Sequence, residues 1–463
     1  MKKIIKIILS VLLIFSFAAA YANSAPVYMK AYPSSDMLAV DKNSTIEVKN
    51  ENLVFDFSNE EDYLYSYKCK VTAEYEMVNP TAEDLSVKMA FPFIESIGAL
   101  SDGNIKITAG NELSYDVYLG EITNKYDDSG DAEEKNYFEF EKIIETITND
   151  IYKADNFADN EAGKLYSIEF KPSSDAEIRV AADLDFDYGK TKILAGNFSG
   201  FSREGGKTRL TTWCREPEVM EIYVLGEDAD FSISGYTDGS LNEETDLYTY
   251  EISEKEIDVK TYLLQSIRNY PYINFDNISD IQLYNLFAKI MDEQFTNNSG
   301  LCTLDELLSY GGISRLILLV YDVEFPKNSE KTVSVSYKTA GTMDRRSTRE
   351  PLHIYDYILN PAENWRDFKN LNIKIIPPEE APYVIKSSIE LNKEGNIYTA
   401  FLESLPEEDF TFTVYHKDKI TFMDDLLLAI DRVSKFIFMF SPFILVLILI
   451  FAIVVIFSKK KNA

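Results

Sequence analysis

The sequence predicts a mainly β, β-sandwich-type extracytoplasmic region with helical insertions, followed by one C-terminal transmembrane helix. Three observations lead to this fold class. Apolar and polar residues alternate over long stretches, which is typical of half-buried strands. A few shorter stretches have apolar residues at helical spacing. One uncharged run near the end of the chain is long enough to span a bilayer.

The first 22 residues are predicted to be a secretory signal peptide. Three lysines within residues 1–6 form a basic start, and Ile7–Phe17 is an apolar run too short to span a bilayer comfortably. Ala20-Tyr21-Ala22 then supplies the small residues that signal peptidase requires. We therefore expect the mature chain to begin at Asn23, with an uncleaved signal anchor as the alternative.

The C-terminal end is predicted to anchor the chain in a membrane. Phe436–Phe457 carries no charge, and as a helix it would be ~33 Å long, against a hydrocarbon core of ~30 Å. The lysines of the tail, residues 458–463, are expected in the cytoplasm by the positive-inside rule. Residues 419–435 have apolar residues at helical spacing and are predicted to form an amphipathic juxtamembrane helix. The expected location is the cell membrane, single-pass, with the N-terminal body outside.

Composition limits the class of partner. The chain has 463 residues and a net charge of −30, and 46% of its residues are hydrophobic. It can therefore bury a substantial core, and its acidic surface repels phosphate backbones, so no nucleic-acid partner is expected. Three cysteines allow at most one disulfide, and the sequence does not choose between the possible pairs.

Residues 23–122 are predicted to form an N-terminal β domain. Apolar residues alternate strictly over Tyr65–Met77, which predicts a long strand with one buried face. Cys69 lies on that face and is therefore expected to be a buried, unreactive thiol.

Further strands are expected in the same domain. Leu85–Phe93 resumes the alternation, and Pro92 falls on the outward face, where no ladder donor is needed. Residues 105–119 read as a hairpin around an Ala-Gly-Asn turn. Ile46–Gly120 is accordingly predicted to be a meander.

Two regions, 123–262 and 263–418, are each predicted to combine helix and sheet. In the first, apolar residues at spacings of three and four over residues 140–151 predict a helix, and strands are expected between Tyr166 and Leu264. In the second, a capping box at Ser279–Gln282 and a Thr303 cap predict two helix starts before further strands. Short similarities about 150 residues apart fit either an internal repeat or common strand turns.

Three segments carry a resemblance to known proteins: Tyr75–Thr81, Val87–Phe93 and Tyr357–Trp365. Together they resemble a family of uncharacterised membrane-anchored exported proteins of low-GC Gram-positive bacteria. The first two are also loosely similar to the β-domains of vault and inter-alpha-trypsin proteins, in which an Asn-Pro turn precedes a strand ending in Phe-Pro. The resemblance implies a β-sandwich at the cell surface and no known activity.

The best metal candidates are Asp183, Asp185 and Asp187, which have the spacing of the first three ligands of a calcium loop. However, the twelfth position, where that loop needs a glutamate, is Leu194. A strand explains the same residues, with the aspartates facing water and the intervening Leu184, Phe186 and Tyr188 facing the core. No cofactor is expected unless calcium binds at these aspartates.

Two functional hypotheses follow. The chain has only two histidines, His353 and His416, and no nucleophile-elbow motif, so it lacks the usual groups of a catalytic triad. The first hypothesis is a binding or cell-envelope-organising protein without catalytic activity, whose partners are the membrane and an envelope component or neighbouring protein. The alternative is an anchored extracellular hydrolase using paired carboxylates or calcium. A pocket of converging carboxylates would favour the hydrolase, and an exposed aromatic patch on strands would favour binding.

Overall fold

The computed structural model describes residues 27–430 apart from 59–61, 64, 103–104, 124–137, 174–176, 205–206 and 425. Within these residues the chain is mainly β, with short helices between the strands. No helix in this part is both long enough and apolar enough to cross a bilayer. The predicted signal peptide, transmembrane helix and cytoplasmic tail lie outside the described residues.

The secondary structure divides into three stretches of the chain. The first stretch contains β1 (Tyr28–Met29), β2 (Ser34–Ser35), β3 (Leu38–Ala39), β4 (Glu47–Asp56), β5 (Asp62–Tyr63), β6 (Ser66–Asn79), β7 (Leu85–Glu95), β8 (Lys106–Ala109), β9 (Asn111–Glu112) and β10 (Asp116–Ile122). The second contains α1 (Phe140–Thr146), β11 (Ala162–Pro172), β12 (Ile178–Asp185), β13 (Thr191–Gly196), β14 (Gly200–Glu204), β15 (Lys207–Cys214), β16 (Glu218–Gly226), β17 (Asp230–Tyr236), β18 (Tyr248–Asp258), α2 (Val259–Arg268), α3 (Asp280–Asn297), β19 (Leu301–Thr303) and α4 (Leu304–Ser309). The third contains β20 (Arg315–Phe325), β21 (Ser329–Ala340), β22 (Thr342–Asp344), β23 (Leu352–Ile358), β24 (Leu371–Ile376), β25 (Tyr383–Ser387), β26 (Asn392–Glu394), β27 (Ile397–Leu402) and β28 (Phe410–Tyr415).

Strands that are distant in sequence pair with each other in two of the sheets. β6 pairs antiparallel with β21, and β7 pairs antiparallel with β20. The turn between β6 and β7 therefore joins two different sheets, as does the turn between β20 and β21. The meander predicted over Ile46–Gly120 is wrong, because β6 and β7 pair with distant strands instead of with each other.

A buried asparagine joins these two turns. Asn79 Nδ2 donates to the carbonyl oxygens of Glu83 (2.8 Å) and Phe325 (3.1 Å), and Asn79 Oδ1 accepts from the Thr81 amide (3.0 Å). The Asn328 amide in turn donates to the Thr81 carbonyl at 2.9 Å. The Asn79 side chain and these backbone groups thus connect the β6–β7 turn with the β20–β21 turn. Without these hydrogen bonds, the buried amide and carbonyl groups would lack partners.

Three sheets share the largest core. A nine-stranded sheet has the order β26-β27-β24-β4-β6-β21-β8-β9 with β5 beside β6, and a four-stranded sheet has the order β10-β20-β7-β3. A six-stranded sheet has the order β1-β22-β23-β28-β25 with β2 beside β23. Their inward faces and helices α2, α3 and α4 pack around one apolar cluster. Residues from the predicted segments 23–122 and 263–418 therefore contribute to the same sheets.

The middle of the chain forms a separate two-layer unit. A five-stranded sheet, β18-β11-β16-β13-β19, and a four-stranded sheet, β14-β15-β12-β17, enclose their own apolar core. The chain leaves the main sheets after β10 and returns at β20, and these two strands pair with each other. The sheet unit is thus an insertion whose two ends lie side by side.

Several local predictions can be compared with the elements. The strand over Tyr65–Met77 is confirmed as β6, and Cys69 on it is fully buried. Pro92 is buried, not outward-facing, because the second face of its sheet is covered by α1 and residues 32–40. Strands do not continue to Leu264, since Asp258 accepts a hydrogen bond from the Thr261 amide (2.9 Å) and starts α2.

The two predicted helix starts differ in outcome. The Ser279 side chain accepts from the Gln282 amide and caps α3, as predicted. Thr303 occupies the cap position of α4, but its side chain makes no capping bond and donates to Glu306 Oε2 instead (3.2 Å). In the predicted juxtamembrane helix, residues 422–424 and 426–430 are helical, and Phe422 is 79% exposed.

Candidate functional site

A cleft of about 390 Å³ opens beside the interlocked strands. Its walls are the C-terminal ends of β7 and β21, the beginning of β6 and the extended segment 29–34. Four aromatic side chains contribute to the lining, namely Tyr32, Tyr65, Phe93 and Tyr337. A concave space of this size, lined by both apolar and polar side chains, can hold a small ligand.

The charges along the cleft differ from those of the whole chain. Three lysines, Lys30, Lys68 and Lys338, line it together with one carboxylate, Glu95. The chain as a whole carries a net charge of −30. Among the described residues, the lining of the cleft is therefore more basic than the chain as a whole.

The register of the strands brings two of these lysines together. Lys68 precedes Cys69 on β6, and β6 pairs with β21 so that Lys68 is opposite Ala340. Lys338 lies two residues before Ala340 and so shares its face of the sheet. The interlocking of distant strands, and not any local motif, therefore creates this basic wall.

Tyr337 forms part of the floor of the cleft. It is 6% exposed, and its ring packs against Phe91 with ring centroids 5.0 Å apart. Burial raises the pKa of the Tyr337 hydroxyl well above its usual value, so it stays protonated, and its oxygen is buried and not open to the cleft.

Beneath this floor lies a buried cluster of two acids and two tyrosines. Asp36 and Glu51 are both 0% exposed. Asp36 Oδ1 accepts hydrogen bonds from the hydroxyls of Tyr75 and Tyr357, the latter at 2.9 Å. Asp36 Oδ2 and both oxygens of Glu51 accept no hydrogen bond from the described residues. The cluster is sealed inside the core, and its two carboxyl groups interact electrostatically.

The two carboxyl groups cannot both be ionised at low cost. Burial raises the pKa of Asp36 to about 7, although the hydrogen bonds from Tyr75 and Tyr357 oppose this. Burial, reinforced by repulsion from Asp36, raises the pKa of Glu51 well above its usual value. We therefore assign the proton to Glu51 near neutral pH, where its hydroxyl can donate to Asp36 Oδ2.

The buried position of Glu51 was not predicted, although the alternation of apolar residues in β4 indicates it. Glu51 is in phase with Leu53, Phe55 and Phe57, all of which are buried. A β-bulge between Val48 and Asn50 resets the alternation of β4, so that Glu51 joins the inward set. An acid in the apolar phase of a strand therefore marks a buried carboxyl group.

The three candidate metal ligands do not converge. Asp183 lies opposite Arg209 on β15 and accepts two hydrogen bonds from its guanidinium, at 2.6 and 2.8 Å. Asp185 is exposed, with Lys207 Nζ 3.8 Å from its Oδ2, and Asp187 Oδ1 accepts from the Gly189 amide at 2.9 Å. In the described part of the chain, no group of three His, Cys, Asp or Glu side chains is arranged to hold a metal ion.

The strand interpretation of these aspartates holds for only part of the segment. Leu184 is fully buried and Phe186 packs against the core of the inserted unit, as predicted. Tyr188 is 62% exposed, because β12 ends at Asp185 and the chain turns away from the core.

The remaining nucleophile candidates are packing residues. Cys69, Cys214 and Cys302 are all buried thiols. Burial raises the pKa of the Cys302 thiol well above its usual value, which opposes reactivity. Burial also lowers the pKa of His353 to about 4, and its ring packs against Tyr67 at 4.6 Å. This histidine is therefore neutral at physiological pH.

No family model matches the chain, and no curated protein matches it. Among solved structures, it is similar to the crystal structure of a candidate nutrient-binding protein from Legionella pneumophila. The likeness covers 87% of this chain and 84% of that chain, with 10% sequence identity. The TM-score is 0.32, which is too low to assign a shared fold.

Proposed function

We propose that this chain is a membrane-anchored, extracytoplasmic binding or envelope-organising protein with a β-sandwich-type body and no catalytic activity. The observation that carries the proposal is the cleft, whose described lining includes four aromatic side chains, three lysines and a single carboxylate. Its ligand is an anionic component of the envelope.

The distribution of carboxylates supports binding over hydrolysis. Two-carboxylate hydrolysis requires an acid and a base that both reach the substrate. Asp36 and Glu51 interact closely but are completely buried, so a substrate has no access to them. Among the described residues, Glu95 is the only carboxylate that lines the cleft, and one carboxylate does not provide the required pair. The alternative of an anchored hydrolase therefore has little support in the described residues.

The binding of an acidic probe is expected to depend on the cleft lysines. The full chain in detergent micelles should show a saturable rise in melting temperature with soluble muropeptides that carry free carboxylates. The double variant Lys68→Ala/Lys338→Ala should weaken this binding by about tenfold or more, since it removes two positive charges from the lining of the cleft.

A matched control is Lys153→Ala/Lys386→Ala, which removes the same charge from exposed positions outside the cleft lining. It should bind like the wild type. Equal loss in both double variants would mean that only the net charge of the chain matters, and no saturable signal with any acidic probe would reject the cleft as the site. Turnover that disappears in Glu95→Gln would favour the hydrolase.

The proposed location is tested by protease access. Residues 23–435 should be digested when protease is added to intact, wall-stripped cells, because we place the body outside the membrane and only the terminal lysines inside. A tag after Ala463 should stay protected until the membrane is permeabilised. Full protection of the body would contradict the proposed orientation.

A further inference from the structure

The inserted unit ends in a long strand with one open edge. β18 has eleven residues and pairs with β11 along its whole length, without a register shift. Among the described residues, β18 has no partner strand on its other side. Its outer edge therefore presents a row of backbone donors and acceptors that another strand can use.

β18 lacks several features that normally protect an edge strand, although five of its eleven residues are charged. It has no proline and no bulge, and the residues from Thr249 to Glu256 are exposed. Tyr250 and Ile252 are 46% and 45% exposed, although they share a face with the buried Phe170 and Ile168 opposite them. The apolar face of the five-stranded sheet thus continues beyond the buried core of the inserted unit, up to the open edge of β18.

β18 can pair with a second β18 in one register that matches its only lysine with a glutamate, although the strand carries four acids. When two copies run antiparallel about a two-fold axis through Ser253, all eleven residues of each strand are paired. In that register, Glu251 of each copy lies opposite Lys255 of the other, and no two like charges are directly opposite. Axes through Glu251 or Glu254 would instead place identical carboxylates opposite each other, which is destabilising. An axis through Ile252 avoids like charges but forms no Glu–Lys pair.

We infer that β18 is a self-pairing edge, at which two copies of this chain join their five-stranded sheets into one continuous sheet about a two-fold axis at Ser253. The interface is isologous, because the same strand serves both copies. Its specificity comes from the two symmetric Glu251–Lys255 pairs, and backbone hydrogen bonds supply the ladder. The net charge of −30 opposes the approach of two copies. This repulsion is screened beyond ~8 Å at physiological ionic strength.

Cysteine cross-linking tests the register. In the full chain in detergent micelles, mild oxidation of Ser253→Cys should give a disulfide-linked dimer, because directly opposite Cα atoms are ~4.5–5.5 Å apart. Ile252→Cys should give at least about tenfold less, since the two copies of residue 252 would be diagonal neighbours at ~7–8 Å. The native thiols are buried and should not contribute to the cross-linked product.

Charge exchange provides an independent readout by sedimentation. Glu251→Lys should weaken dimerisation about tenfold, because it places two lysines opposite each other, and Glu251→Lys/Lys255→Glu should restore it. A wild-type chain that remains monomeric at high micromolar concentration would overturn the inference. Equal cross-linking at residues 252 and 253, or failure of the exchanged pair to restore dimers, would reject the proposed register.

Discussion

Glu51→Gln should stabilise the folded protein at neutral and alkaline pH and remove much of its loss of stability as the pH rises. Glu51 is fully buried next to Asp36, and burial together with the Asp36 charge raises its pKa well above the usual value. The unfolded chain loses this proton near pH ~4.3, whereas the folded chain retains it. Stability is therefore greatest below the unfolded pKa and declines as the pH rises towards the folded pKa.

The direction of the effect follows from the raised pKa values of both acids. Each pKa unit corresponds to ~1.4 kcal/mol. For Asp36, whose folded pKa is raised from 3.8 to about 7, the loss occurs between about pH 4 and pH 7. Glutamine has nearly the same shape as glutamic acid, carries no titrating proton and can donate its amide to Asp36 Oδ2. We expect Glu51→Gln to raise the free energy of unfolding at pH 8 by ~2–4 kcal/mol.

Denaturant unfolding of both proteins at pH 5, 6.5 and 8 measures this difference. Glu394→Gln, at an exposed position on β26, is the matched control and should change stability by less than ~0.5 kcal/mol at every pH. Lower stability of Glu51→Gln throughout the range would show that the carboxylate has a favourable partner, and our assignment of the proton would be wrong.

Cys69→Asp should destabilise the protein by more than ~4 kcal/mol or prevent folding. Cys69 is 0% exposed within β6, next to Tyr337 and Tyr355, and the cluster nearby already contains two buried acids. A third carboxyl group at this position would have to be buried without a counter-ion, and that cost is among the largest single-residue effects known.

Cys69→Ala is the matched control, since it removes the sulfur without adding charge, and it should fold with a smaller loss of stability. Because Cys69→Asp itself is expected to fold poorly, thiol labelling of the native wild-type chain gives a second measurement. Cys69 should react only at the rate of global unfolding. Rapid labelling under native conditions, or normal stability of Cys69→Asp, would show that the residue is accessible.

The sequence alone determined the features that depend on neighbouring residues. The period of two over Tyr65–Met77 placed Cys69 on the buried face, because successive side chains of a strand point to opposite sides whatever the strand pairs with. Ser279 was identified as a helix cap from its own side chain and the amides that follow it. Such inferences require only the geometry of a single element.

Only the tertiary structure decided how these elements meet. Pro92 is buried because another segment covers its sheet, and Asp183 is bonded to Arg209 because β12 pairs with β15. The buried Asp36–Glu51 pair, the basic wall of the cleft and the open edge of β18 likewise arise from strands that are distant in sequence. Local alternation specifies which side of a strand is apolar, but it carries no information about the partner strand, and partner choice depends on the packing of the whole core.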